Sequence, residues 1–263
     1  MKRVLTVQDL SCVGKCSLTV ALPVLSAMGC SCSVLPTAVL STHTAFPDPH
    51  VRDLTADMRE NIDHWRSIGA EFDGILVGYL SSPQQAHWVE YLWDRFDGLR
   101  ILDPAMGDGG KLYSGMTAGN IIAMEQLCQK AVVLIPNVTE ACLLCGVAYE
   151  KGQDRAWYER LIEILLRKGC KQVVLTGVSL EDGMTGFMTS DGGLYQTAQL
   201  DGHYHGTGDL FAAVLTGGLL GGESLQAAAE KAARFVEACI KSTGEYSRFG
   251  IRFEENLGKL AEN

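Results

Sequence analysis

Residues 74–103, GILVGYLSSPQQAHWVEYLWDRFDGLRILD, decide the fold. Gly74–Gly78 is a short apolar run, Gln84–Arg95 has the pattern of an amphipathic helix, and Arg100–Leu102 is a second apolar run ending on Asp103. Strands that read as near-continuous apolar runs, joined through helices, belong to a parallel sheet covered on both faces. The alternation continues in both directions. Arg3–Val7 and Ser33–Val39 read as strands before it, with helices over Leu18–Met28 and Asp53–Ile68. After it come strands at Val132–Ile135 and Gln172–Thr176, with helices over Ala118–Lys130 and Ala156–Lys168. Gly186–Thr189 and Leu194–Thr197, separated by Ser190-Asp191-Gly192-Gly193, read as a β-hairpin. Two helices, Leu210–Leu220 and Leu225–Ser242, close the chain. No linker, repeat or low-complexity tract divides it. The expectation is an α/β fold, three layers α-β-α around a central, mostly parallel sheet, in a single domain over residues 1–263.

In such sheets, ligands bind beyond the carboxyl ends of the strands. Polar residues stand at six of those ends: Asp9 after the first strand, Thr37 late in the second, Tyr79 after Gly78, Asp103, Asn137 after Ile135, and Thr176-Gly177. His43 follows the second strand on the same edge.

Gly206-Thr207-Gly208-Asp209-Leu210-Phe211-Ala212 opens a small-residue apolar run to Leu220. A helix that starts at a Gly-rich turn aims unpaired N–H groups and its positive dipole end at an anion such as phosphate. A carboxylate at Asp209 would repel that phosphate unless it accepts a proton from the attacking group, as in a phosphotransferase acting on an alcohol. The competing reading makes Asp209 an N-cap. Asn137-Val138-Thr139-Glu140 has the same ambiguity, because Glu140 suits a water-rich Mg²⁺ site and also the third position of a capping box. Asp103-Pro104-Ala105-Met106-Gly107-Asp108-Gly109-Gly110-Lys111 places a carboxylate before a flexible, glycine-rich loop that suits a flap excluding water.

Other patterns exclude functions. The charge balance of 22 basic against 31 acidic residues, net −9, carries no basic stripe, so nucleic acid is not an expected partner. No apolar window reaches membrane-span length, and the first residues lack a signal peptide's apolar stretch, which points to the cytoplasm. The nine cysteines are then expected as reduced core residues. Cys142-x-x-Cys145 lacks a second pair for zinc and is expected to pack inward from a helix. Gly14-Lys15 fails as a P-loop, since Asp9 occupies the place of the first glycine and Cys16 follows the lysine. His203 and His205 lack a third ligand for zinc.

Taken together, Gly78-Tyr79, Asp103-Pro104-x-Met106-Gly107-Asp108, Pro136-Asn137-x-x-Glu140 and Gly206-Thr207-Gly208-Asp209-Leu210-Phe211 resemble, in that order, the vitamin B6 kinases of the ribokinase superfamily. The resemblance runs from Val4 to about Thr243. It implies ATP-dependent phosphorylation of the 5′-hydroxymethyl group of pyridoxal, pyridoxine or pyridoxamine. Asp209 is then the general base, with Gly206, Thr207 and Gly208 forming the anion hole. Asp103, Asn137, Glu140, Thr176, Gly177 and Thr207 hold ATP, with Glu140 and Asp103 toward Mg²⁺, directly or through water. Asp9, Thr37, His43, Tyr79, Tyr113 and Asp209 border the vitamer. The family also implies a homodimer, with K⁺ as a further candidate cation. The chain departs from the family's Ser-His after the first strand, carrying Asp9-Leu10, and from its downstream Gly-Asn, carrying Gly14-Lys15-Cys16-Ser17. Asp9 is therefore expected to favour an aminomethyl substrate such as pyridoxamine. The alternatives are a hydroxymethylpyrimidine (phosphate) kinase of thiamine synthesis and a non-catalytic B6 or nucleotide carrier.

Overall fold

A computed structural model describes residues 1–202, 204–244 and 248–261. The chain begins β1 (Arg3–Val13), α1 (Leu18–Ala27), β2 (Ser31–Thr42), β3 (Val51–Asp53), α2 (Thr55–Ser67), β4 (Gly74–Val77) and α3 (Pro83–Trp93). It continues through β5 (Leu99–Leu102), β6 (Gly107–Asp108), β7 (Lys111–Leu112), α4 (Ala118–Lys130), β8 (Val133–Leu134), α5 (Val138–Cys145) and α6 (Arg155–Lys168). The last part holds β9 (Gln172–Val178), β10 (Met184–Thr189), β11 (Leu194–Ala198), α7 (Thr207–Leu220), α8 (Leu225–Thr243) and α9 (Gly258–Ala261).

Nine strands form one sheet in the order β11-β10-β9-β8-β5-β4-β1-β2-β3. The strands from β9 across to β2 are parallel, and β3, β10 and β11 add antiparallel pairs at the two edges. Strand residues alternate between the two faces. Leu5, Val7, Ile75, Val77 and Leu102 pack one way, into a core shared with Met58, Val89, Leu127 and Leu161 of the helices on that side. Val4, Leu76, Ile101 and Val133 pack the other way, against Val24 of α1, Val214 of α7 and Ala232 of α8. The result is the expected α/β architecture, a large and mostly parallel sheet flanked by helices. Among the described residues no helix is long and apolar enough to cross a membrane.

Several boundaries differ from expectation. β1 runs to Val13, so Asp9 lies inside a strand rather than after it. Beyond Val7, β1 has lost its β4 partner and pairs only with β2 (Leu10–Val13 on Val39–Thr42), whose Val39 and Leu40 also pair with β3, so this end of the ladder overhangs the sheet. The polar Gln8-Asp9 interrupts the apolar run without interrupting backbone pairing. Thr37 is likewise mid-strand in β2. Thr176 and Gly177 lie within β9, where the pairing with β10 skips Gly177 as a bulge. The glycine-rich segment after Asp103 is a small hairpin, β6 on β7, instead of a loose loop. The nine cysteines are unpaired as expected, but Cys12 is exposed and Cys16, Cys32 and Cys145 are only part-buried. Cys142 is in the core from α5, with Cys145 packed against it. His203 lies outside the described residues.

Candidate active site

The ladder hydrogen bonds continue one residue past the strands. Gly78 N–H donates to Val7 O at 3.1 Å, and Asp103 N–H donates to Val77 O at 2.8 Å. Gln8, Gly78 and Asp103 therefore form a row across the carboxyl edge, on the face that carries Leu76 and Ile101 toward α7. A Cβ on Gly78 would sit 2.6 Å from Gln8 Nε2, so only a glycine lets that buried amide lie across the row.

Above the row, α7 starts at Thr207, with Gly206 as its N-cap in the left-handed region (φ 89°). Gly206 is required twice over, because a Cβ there would also stand 2.5 Å from Lys15 O. The N-cap makes no side-chain hydrogen bond, leaving the first-turn N–H groups directed outward. Asp209 is the third residue of the helix. The N-cap reading of this residue is therefore wrong, because the helix begins before it and Gly206 takes the cap. A Cβ added at Gly208 would lie 3.9 Å from Asp103 Oδ2, so the first turn of α7 faces the end of β5.

Asn137 and Glu140 form a complete capping box at the start of α5. Asn137 Oδ1 accepts from Glu140 N–H at 3.0 Å, and Glu140 Oε2 accepts from Asn137 N–H at 2.8 Å. Glu140 Oε1 also accepts from Met106 N–H at 3.0 Å, and Asn137 Nδ2 donates to Gly107 O at 2.8 Å. Thr139 Oγ1 accepts from Gly110 N–H at 2.9 Å. The β6–β7 hairpin is thus clipped to α5 along its length. Thr176 meets Asn137 through a parallel bridge.

The carboxylates here are held near enough to one another to shift each other's proton affinity. Burial, then the charge of Asp209, raises Asp103 to about 8. Burial raises Asp209 to about 6, opposed by a backbone hydrogen bond from Ser17 and reinforced by the charge of Asp9. Glu140 is pushed well above the usual carboxylate range by burial and by Asp103, against its backbone donors. Tyr113, raised by burial, feels Glu140, Asp108, Asp103 and Asp209. Among the described residues no ion pair involves Asp9, Asp103, Glu140 or Asp209. Also among the described residues, no group of three or more His, Cys, Asp or Glu could cage a metal. A part-buried Asp103 beside a buried Glu140, neither with a basic partner among the described residues, fits Mg²⁺, which keeps several waters and takes one or two carboxylates.

Asp9 is 5% exposed, and both of its oxygens are engaged. Ser17 Oγ donates to Oδ1 at 2.6 Å and Ser11 Oγ to Oδ2 at 3.2 Å. Tyr79 feels the charge of Asp9 and stands near it. His43 is buried with its two ring nitrogens used, Nδ1 accepting from Ala45 N–H and Nε2 meeting Arg248 O at 3.2 Å. Its ring lies against Gly14 and, at 4.9 Å between centroids, against His205. Thr37 is buried with its hydroxyl unpaired, and its carbonyl accepts from Gln85. The sequence-level selection missed Ser11, Ser17, Gln8 and Thr139. A glutamine within an otherwise apolar strand was a visible signal for Gln8, whereas the positive φ of Ser17 (49°) is not something its residue type announces.

The strand-edge row, the open helix start and the raised carboxyl of Asp209 fit an ATP-dependent kinase of the ribokinase-like class, and the relatives of the chain show that class. The model of the phosphomethylpyrimidine kinase family matches residues 22–251. A pyridoxine/pyridoxal/pyridoxamine kinase of Bordetella avium (strain 197N) is 32% identical over 256 residues, covering 91% of this chain and 85% of that protein. The crystal structure of pyridoxal kinase from Lactobacillus plantarum superposes with a TM-score of 0.92 at 32% identity, covering 99% and 96% of the two chains. A candidate phosphomethylpyrimidine kinase from Bacteroides thetaiotaomicron, in a crystal form with pyridoxal, gives a TM-score of 0.93 at 35% identity over 98% and 95%. The chain belongs to the phosphomethylpyrimidine kinase family of the ribokinase superfamily, with the vitamin B6 kinases among its relatives.

Proposed function

We propose that this kinase transfers the γ-phosphoryl group of ATP to the 5′-hydroxymethyl oxygen of a B6 vitamer, yielding the 5′-phosphate for pyridoxal phosphate salvage. The observation that carries the chemistry is Asp209 in the first turn of α7, a carboxyl raised to about 6 beside outward-facing N–H groups. A base with a value near working pH is ionised in solution yet basic enough to take the alcohol proton. The amides of Thr207, Gly208 and Asp209, with Gly206 shaping the turn, stabilise the transferring phosphoryl group. The transition state is loose and anionic, so position and charge carry most of the catalysis.

Asp103 and Glu140 would hold Mg²⁺ through water, and the ion would neutralise phosphate charge. Asn137, Thr176, Gly177 and Thr207 border the nucleotide. Tyr79, Thr37, His43 and Tyr113 surround the vitamer, with Asp9 beneath them. The whole chain acts as one kinase domain. A homodimer and K⁺ use follow from the family resemblance.

The second reading is a hydroxymethylpyrimidine or phosphomethylpyrimidine kinase, favoured by the description of the matching family model. ADP release with ATP and a panel of the three B6 vitamers, hydroxymethylpyrimidine and its phosphate separates the two. Turnover restricted to the pyrimidines would overturn the B6 assignment, and turnover of a vitamer at least tenfold more efficient than of the pyrimidines is expected.

A further inference from the structure

Ser17 holds a conformation that its residue type does not favour. Its backbone stands at φ 49° and ψ −126°, and among the described residues only Asp48 shares a positive φ without being glycine. Non-glycine residues persist in such regions only when their surroundings impose them, and such strain clusters at functional sites. Ser17 is also the N-cap of α1, where a serine ordinarily accepts a hydrogen bond from the first turn. Here its side chain makes no capping bond. The hydroxyl turns away from its own helix and donates to Asp9 Oδ1 at 2.6 Å.

What the strained backbone accomplishes is visible on the opposite side of the residue. The turn that ends in Ser17 packs on the start of α7, where a Cβ at Gly206 would stand 2.5 Å from Lys15 O, and the backbone N–H of Ser17 faces the carboxylate of Asp209. Asp9 has no cationic partner among the described residues, and its other oxygen is taken by Ser11 at 3.2 Å. It lies in the overhanging part of β1, at the register shift between Gln8 and Leu10 that lets one residue of β1 face two of β2. Side chain and main chain of Ser17 thus face two carboxylates on different elements, the buried Asp9 of β1 and the part-buried Asp209 of α7.

We propose that Asp9 and Ser17 form a positioning pair for the phosphoryl-transfer base. Asp9 clamps the Ser17 hydroxyl, the clamp keeps the residue in its left-handed state, and that state keeps the Ser17 N–H on Asp209. Asp9 then serves the reaction from below the site rather than as a ligand for the substrate's amine. This inference rests on the reading of Asp209 as the base, and it replaces the expectation that Asp9 selects pyridoxamine.

The test is a cycle on the intact chain with Asp9→Ala, Asp9→Asn and Asp9→Ala/Ser17→Gly, measuring kcat and KM for pyridoxal and pyridoxamine together with thermal unfolding. Asp9→Ala is expected to lower kcat by about 10–100-fold with both substrates, because the serine loses its clamp; this is the range in which a misplaced group affects turnover. KM is expected to change less than threefold. Asp9→Asn keeps an acceptor for the Ser17 hydroxyl and should retain most of the turnover. Adding Ser17→Gly to Asp9→Ala should restore kcat to within about fivefold, since glycine adopts the left-handed state without a clamp. The drop in melting temperature caused by Asp9→Ala should also shrink in the Ser17→Gly background, a readout independent of turnover. A double variant as slow and as unstable as Asp9→Ala alone would overturn the pair. So would a KM increase confined to pyridoxamine that Ser17→Gly leaves in place, which would make Asp9 a substrate ligand. Asp209→Ala run alongside tests the base itself: near-full turnover there would remove the base reading, and the unfolding cycle would still decide whether Asp9 and Ser17 are coupled.

Discussion

Replacing Asp209 with asparagine should separate the cost of burying a carboxylate from the benefit of having one. In the folded chain this group is raised from 3.8 to about 6, first by burial and then by the charge of Asp9. Each unit is worth about 1.4 kcal/mol. Holding the group ionised therefore costs the fold about 3 kcal/mol at pH above both values, and its partial contact with solvent trims this to about 2–3 kcal/mol. The sign follows from linkage. The folded state binds the proton more tightly than the unfolded chain, so stability is fully present below pH 3.8 and is lost as pH rises through 6. Asparagine is isosteric, keeps an acceptor for the Ser17 N–H and never ionises. Asp209→Asn should thus match the parent's melting temperature near pH 4 and exceed it by roughly 5–10 °C at pH 8, scaling the free energy for a chain of this size. The same variant should lose about 10²–10⁴-fold in kcat, the usual worth of a positioned base. In the parent, kcat/KM should climb with unit slope up to about pH 6 and then level. Thermal unfolding across pH 4–8.5 and coupled ADP release measure all three. An asparagine variant destabilised at every pH, or one that turns over at the parental rate, would refute the reasoning.

Asn137→Ala removes the acceptor for Glu140 N–H and the donor to Gly107 O. Unfolding should show a loss of about 1–2 kcal/mol, and ATP titration should show a raised KM for the nucleotide as Glu140 and the β6–β7 hairpin loosen; an unchanged KM would count against that coupling. Gly206→Ala places a methyl 2.5 Å from Lys15 O at a φ of 89°. It should destabilise by about 1–3 kcal/mol and lower kcat at least tenfold, read by calorimetry and initial rates, because the start of α7 must move off its phosphate.

Much of this molecule was legible in its residues, and the unread parts share a physical cause. Apolar runs such as Gly74–Val77 and amphipathic helices such as α6 are buried on known faces, so periodicity alone recovers them. Gly206 and the Asn137–Glu140 box mark helix starts legibly, because a left-handed N-cap calls for glycine and a capping box for this residue pair. β1 beyond Val7 was missed because its faces are lined by a site rather than by a core, and polarity there does not track pairing. The β6–β7 hairpin was read as a loose loop because its anchors, Thr139, Asn137 and Glu140, lie about 30 residues away in sequence. Ser17 was invisible as a functional residue, since a serine gives no hint of a glycine-like backbone. At Asn137 and Glu140 a capping reading and the proposed nucleotide role need not compete, because the box that opens α5 also fixes the Glu140 carboxyl beside the β6–β7 hairpin.

After α8 the chain doubles back under the site. Phe249 O accepts from Lys15 N–H at 2.8 Å, Ile251 N–H donates to His205 O at 3.0 Å, and Arg248 O meets the His43 ring. Residues from near both ends of the sequence are therefore sewn together where Gly206 approaches Lys15. The His43–Arg248 contact joins residues 205 apart in sequence, so this rim closes against a large loop-closure entropy and depends on the sheet and helices between being in place.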